Sequence, residues 1–134
     1  MEAEGAGGEV PSGLRVLLVE DDAEVRTIMR TFLDTLACKV TDCASAEQAL
    51  LALTSAAPFD LLLSDIALGA GMRGTQLASQ AQARVPSLRV LLMSGFSAEL
   101  LDADRDSPPG WGLLPKPCTR DELARAIIRV LKPS

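Results

Sequence analysis

The chain has 134 residues, 48% of them hydrophobic, and a formal net charge of -5 at neutral pH. This suffices for one domain with a buried core and gives no reason for a second folding unit. The acidic balance, without any run of Lys or Arg, excludes a nucleic-acid surface, which needs a basic stripe to displace counterions from phosphates.

Three cysteines (Cys38, Cys43, Cys118) and no histidine exclude a disulfide framework or a zinc site. The lack of histidine also removes the usual general base and any phosphohistidine, so a phosphoryl donor would have to be another domain or a small molecule. No apolar stretch reaches the roughly 18 residues of a membrane span, and the N-terminus lacks the basic start and apolar core of a signal peptide. No membrane partner is expected, and the chain is expected in the cytoplasm.

Residues 1–13, rich in Gly, Glu and Ala, have no periodicity and read as a flexible tail or linker, with the domain running over 14–132. Arg15 to Val19 reads as the first strand. Asp22 then caps a helix carrying Val25, Ile28, Met29, Phe32, Leu33 and Leu36 inward, at spacings of three and four. Lys39 to Cys43 is a short strand, and Ser45 with Gln48 forms a capping box that opens a helix with Ala49, Leu50 and Leu53 inward. Pro58 marks the turn into the run Phe59 to Asp65. Its central Leu61-Leu62-Leu63 shows no alternation, as in a parallel strand covered on both faces.

A glycine-rich loop leads to a helix over Thr75 to Arg84, stopped near Pro86. Arg89 to Met93 is the fourth strand, Ser97 to Ala103 a short helix, and Asp104 to Gly110 a polar loop. Trp111 to Pro115 is the fifth strand, and a second capping box, Thr119 with Glu122, opens a helix carrying Leu123, Ile127, Val130 and Leu131. Strand and helix alternate five times. With short connections and right-handed crossovers this gives an α/β doubly wound five-stranded parallel sheet, order 2-1-3-4-5, with helices on both faces.

Ligands of such sheets collect beyond the carboxyl ends of the strands. There the sequence places Glu20, Asp21 and Asp22 after strand one, Asp65 at the end of strand three, Ser94 after strand four and Lys116 after strand five. A lone acidic triplet fits a helix N-terminus equally well. Paired with Asp65 it does not stay so innocent, because two carboxylates about 4 Å apart repel by roughly 4 kcal/mol at an effective dielectric near 20. A cation relieves this, and oxygen-only ligands suit Mg²⁺, or Mn²⁺. Lys116 stands between Pro115 and Pro117, which fix the backbone and admit a cis Lys116-Pro117 bond. Ser94 can donate to a phosphoryl oxygen.

These residues and spacings (Leu-Val-Glu20-Asp21-Asp22, Leu-Leu-Ser-Asp65, Met-Ser94-Gly and Lys116-Pro117) resemble the receiver domains of two-component response regulators over Leu14 to about Lys132. Met-Ser-Gly-Phe and Leu-Leu-Pro-Lys-Pro are similar to receivers at the C-terminal end of hybrid histidine kinases. The resemblance implies a flavodoxin-like receiver fold with Asp65 as phosphoacceptor. It implies Mg²⁺ held by Glu20, Asp21, Asp65 and the backbone carbonyl of Ala67, with Ser94 and Lys116 on the phosphoryl oxygens. The implied partner is a histidine kinase or phosphotransfer domain, and the face of the fourth helix, fifth strand and fifth helix is where a homodimer would form. The chain would be a signalling domain rather than an enzyme in its own right. Three positions depart from the family: Leu113 stands at the switch position usually held by Phe or Tyr, Cys118 in place of a Phe, and Gly69 in place of a proline.

Competing readings are weaker. Gly69-Ala-Gly71-Met-Arg-Gly74 matches a dinucleotide fingerprint, yet no Asp or Glu occurs between Asp65 and Glu99 to take a ribose, and Asp65 would repel a pyrophosphate. A phosphatase working through an aspartyl phosphate needs a second Asp two residues on, where this chain has Ala67. The remaining alternative is a pseudo-receiver, an interaction module that keeps the fold but does not switch by phosphorylation.

Overall fold

The computed structural model describes residues 9–55, 58–69 and 71–132. The first eight residues of the expected tail lie outside them. Within the described residues run β1 (Arg15–Val19), α1 (Ala23–Thr35), β2 (Lys39–Cys43), α2 (Ala46–Ser55), β3 (Leu61–Asp65), α3 (Gly74–Arg84), β4 (Arg89–Ser94), α4 (Ser97–Asp106), β5 (Gly112–Pro115) and α5 (Arg120–Leu131). All neighbouring strands pair in parallel, in the order β2-β1-β3-β4-β5.

Period two in the strands divides the core into two clusters. Leu17, Val19, Leu62, Val90 and Leu92 face one side, where α2, α3 and α4 cover them with small residues such as Ala49, Ala78, Ala81 and Ala103. Val16, Leu18, Leu61, Leu63, Leu91 and Met93 face the other, under Met29 and Leu33 of α1 and Leu123, Ala126, Ile127 and Val130 of α5. β3 is buried at every position, which is why its sequence shows no alternation. At the sheet end opposite the candidate site, Arg15 forks onto Asp60 through two guanidinium bonds of 3.1 and 3.0 Å.

The caps follow the sequence. Asp22 accepts from the backbone N–H groups of Glu24 and Val25, and Thr119 and Glu122 satisfy one another's N–H. Ser45 accepts from the Gln48 N–H, but the Gln48 side chain reaches past it to Ala44.

Two expectations are corrected. α4 continues through Asp106, three residues beyond Ala103, because Asp104, Arg105 and Asp106 lie on the solvated side and carry no apolar signal; Arg105 pairs with Asp102 one turn back. Ile28, expected inward, is 52% exposed. Met29 and Leu33 set the buried stripe of α1, and the residue before Met29 lies about 100° around the helix from it.

Two close approaches fix the layers. A Cβ on Gly112 would meet Val130 Cγ1 at 2.3 Å, so this glycine lets α5 lie tight on β5. Trp111, just before β5, donates its indole N–H to Gln82 Oε1 at 3.0 Å, and Gln82 donates to the Leu88 carbonyl at 2.8 Å, tying α3 to both β4 and β5.

Candidate functional site

The parallel register brings the ends of β1, β3, β4 and β5 to one edge. Val19 is level with Ser64, Asp65 with Met93, and Ser94 with Pro115, so the next residue outward on each strand reaches a common rim. Glu20 and Asp65 are buried there, at 1% and 5% exposure. Asp21 is exposed beside them, and ligand oxygens of Glu20, Asp21 and Asp65 all lie within 4.8 Å of one another. Asp22, facing α1, is the cap already described. Ala67 lies two residues past Asp65 in the loop that follows β3.

Lys116 projects into this group. Its Nζ is 2.7 Å from Asp65 Oδ1 and 2.9 Å from Glu20 Oε1, and the Lys116-Pro117 peptide bond is cis. Glu20 also accepts from the Asp22 N–H at 3.1 Å, and its carbonyl takes the Arg26 guanidinium at 2.8 Å. Burial by itself would lower Lys116, but hydrogen bonds and charge from Asp65 and Glu20 outweigh it and hold the ammonium above its usual value. Asp65 is raised as well, which for a carboxyl disfavours the charged form. Desolvation first, then the hydrogen bond with Glu20 and its charge, overcome Lys116 and push it up to about 7.

Once Asp65 is ionised, three carboxylates against the Lys116 ammonium carry a net charge of minus two, which one divalent cation balances. The hard oxygen donors on a half-open rim fit Mg²⁺, which keeps several of its waters.

The raised Asp65 predicts a pH dependence with a definite sign. Folded Asp65 keeps its proton to about 7, while the unfolded chain loses it near 3.8. Across that window the folded state binds more protons, so without divalent cation stability falls as pH rises from 3.8 to about 7. Asp60, lowered by the Arg15 hydrogen bond, acts below that window with the opposite sign. Urea midpoints measured in chelator should show the fall, Asp65→Asn should flatten it, and Mg²⁺ should bind more tightly as pH rises through about 7. A midpoint that climbs over the same range in both proteins would contradict the assignment.

Ser94 is buried at the rim, but its hydroxyl is engaged elsewhere: it donates to Glu99 Oε1 at 2.5 Å and accepts from the Phe96 N–H at 3.0 Å. The other Glu99 oxygen faces Arg73, 3.7 Å away at the start of α3. Glu99 is the site residue that the sequence reading missed. Its only signal was an acid in the first turn of a helix, which the macrodipole explains by itself.

The glycine-rich loop is accounted for without a nucleotide. A Cβ on Gly74 would sit 1.9 Å from the Asp65 carbonyl oxygen, so α3 starts against the backbone at the end of β3. Gly69 has φ +74° and would place a Cβ 3.2 Å from Asp21 Oδ2. Proline, fixed near −65°, cannot adopt that conformation.

The family model of the response regulator receiver domain matches residues 16–128. This chain belongs to that family. Response regulator receiver protein CpdR of Brucella abortus (strain 2308) is 33% identical over 117 residues, covering 87% of this chain and 96% of its own length. Sensor protein TorS of Escherichia coli (strain K12) is 33% identical over 123 residues; the match takes in 90% of this chain and 13% of TorS. Among solved structures, a response regulator receiver protein from Sinorhizobium medicae WSM419 superposes with a TM-score of 0.81 at 27% identity, over 89% of this chain and 94% of that one.

The chain is therefore a receiver domain of two-component systems, a signalling domain whose family works with histidine kinases or phosphotransfer partners. No helix among the described residues is long and apolar enough to cross a membrane. The three cysteines are free thiols. Leu113 is half-buried and packs with Leu100 and Trp111 against the core on the α2, α3 and α4 side.

Proposed function

We propose that this receiver domain accepts a phosphoryl group onto Asp65 from the phosphohistidine of a histidine kinase or phosphotransfer domain, in the cytoplasm, and signals by a change of conformation. The observation that carries the reading is the Lys116 ammonium held between two buried carboxylates at the carboxyl edge of the sheet. Glu20, Asp21, Asp65 and the carbonyl of Ala67 would hold Mg²⁺ (or Mn²⁺). The metal supplies compensation for charge on the transferring phosphoryl oxygens.

Asp65 must first give up the proton that burial and Glu20 favour, and Lys116 stabilises the carboxylate that results. One carboxylate oxygen then attacks phosphorus; the new P–O bond forms as the P–N bond breaks, and the imidazole nitrogen leaves with the electron pair. Lys116 and Ser94 would donate to the phosphoryl oxygens, and alignment of attacking and leaving atoms does the rest. Water hydrolyses the acyl phosphate slowly, since no second acid stands at Ala67 to assist it.

Beryllofluoride with Mg²⁺, a phosphoryl mimic, tests the reading without a kinase. Titration followed by backbone NMR should shift the amides of residues 65–67 and 94–96, with no response in Asp65→Asn. Leucine has no ring to turn inward, so the changes at Leu100, Leu113 and Leu123 should be smaller than those beside Asp65. Silence in the wild-type protein would mean a pseudo-receiver, and equally large changes on both faces would show that the relay needs no aromatic.

A further inference from the structure

The hydroxyl of Ser94 has one proton to donate, and in this structure the nearer acceptor is Glu99 Oε1 at 2.5 Å, with the Phe96 carbonyl farther off at 3.3 Å. One partner is a carboxylate and Ser94 is only 2% exposed, so solvent has little access to the bond. Glu99 itself is not free to follow: it sits in the first turn of α4, and its second oxygen faces Arg73 at the head of α3. The Phe96 N–H, donating to Ser94 Oγ, holds the hydroxyl oxygen from the other side. Ser94, Glu99 and Arg73 thus link the β4–α4 turn to the loop that follows Asp65.

We infer that Glu99 is a positioning residue that withholds the Ser94 hydroxyl from the phosphoryl group, so that capture at Asp65 must break the Ser94–Glu99 bond and release the start of α4. The inference rests on Asp65 being the phosphoacceptor. It also supplies an exit for the signal that does not pass through Leu113. When Ser94 turns to a phosphoryl oxygen, Glu99 keeps Arg73, and the start of α4, flanked by the exposed Phe96 and Leu101, loses this tie to β4. The unphosphorylated state is stabilised by the same bond that the phosphorylated state gives up.

The test is a cycle of four proteins, wild type, Glu99→Ala, Ser94→Ala and the double variant, titrated with beryllofluoride in saturating Mg²⁺. Removing Glu99 should tighten binding about tenfold, the size expected for one charge-assisted hydrogen bond no longer broken. In the Ser94→Ala background the same change should alter affinity by less than about twofold, because no hydroxyl remains to be withheld. Glu99→Gln, which keeps an acceptor oxygen without the charge, should fall between, and it carries the test should Glu99→Ala prove unfolded by circular dichroism. Equal tightening in both backgrounds would reduce Glu99 to a repelling charge and overturn the inference, as would no tightening in either. Wild-type protein that fails to bind beryllofluoride overturns the acceptor reading itself, and the inference with it.

Discussion

Asp65→Asn is expected to reduce phosphoryl labelling to background while the domain stays folded. Asparagine is nearly the same size and keeps a carbonyl oxygen, so the buried rim is still filled, but the amide oxygen is too weak a nucleophile to displace imidazole. The stability change should be small in chelator near neutral pH. Lys116 loses a 2.7 Å partner but keeps Glu20 at 2.9 Å, and the proton that Asp65 retains up to about 7 is no longer at issue. The label on the wild type should be removed by hydroxylamine, as expected of an acyl phosphate. Undiminished, hydroxylamine-sensitive labelling of the variant would place the acceptor on another carboxylate.

The largest effect on stability is expected from Gly74→Ala. The added Cβ would lie 1.9 Å from the carbonyl oxygen of Asp65, 2.9 Å from its carbonyl carbon and 3.1 Å from Ile66 Cα. All three are backbone atoms of β3 and its exit, so no side chain can swing aside. Either α3 lifts from the sheet, breaking the 2.8 Å bond from the Gly74 N–H to the Ile66 carbonyl, or the end of β3 moves with Asp65. The expected loss is about 3 kcal/mol, the upper range for overpacking, which lowers the melting temperature by roughly 10 °C. Gly95→Ala serves as the control, since a Cβ there meets nothing within 4 Å. Equal melting temperatures for the two variants would show that the start of α3 is free to retreat.

Much of this domain is legible in its sequence where one local signal dominates. β1 and β2 begin and end as read, because short runs of β-branched and aliphatic residues are closed by acids or small residues. The convergence of Glu20, Asp21, Asp65, Ser94 and Lys116 also follows from topology, since a parallel sheet brings every strand exit to one edge. The misreadings occur where the signal is weak. The last turn of α4 is made of Asp104, Arg105 and Asp106, whose charges suit loop and solvated helix alike. Ile28 fits an inward spacing, yet the stripe of α1 is set by its neighbours. Within the site, the partner of Ser94 was not legible at all: it depends on where α4 starts and which way one hydroxyl turns, and neither leaves a trace in spacing. The glycine run shows the opposite case, a strong pattern with another cause, the nearness of α3 to the carbonyl of Asp65.

Trp111 gives the domain an optical property of its own. It is the sole tryptophan of a chain with no tyrosine, so near-ultraviolet excitation reaches essentially one indole. That indole is tied to Gln82 and lines the same cleft of about 450 Å³ as Arg73 and Glu99. Its emission reads the polarity of the gap between α3 and α4 from inside, with no dye attached and no residue altered. A rearrangement that opens or closes this cleft becomes a colour shift visible at micromolar protein within a stopped-flow mixing time, and the events at the sheet edge can be timed rather than only weighed.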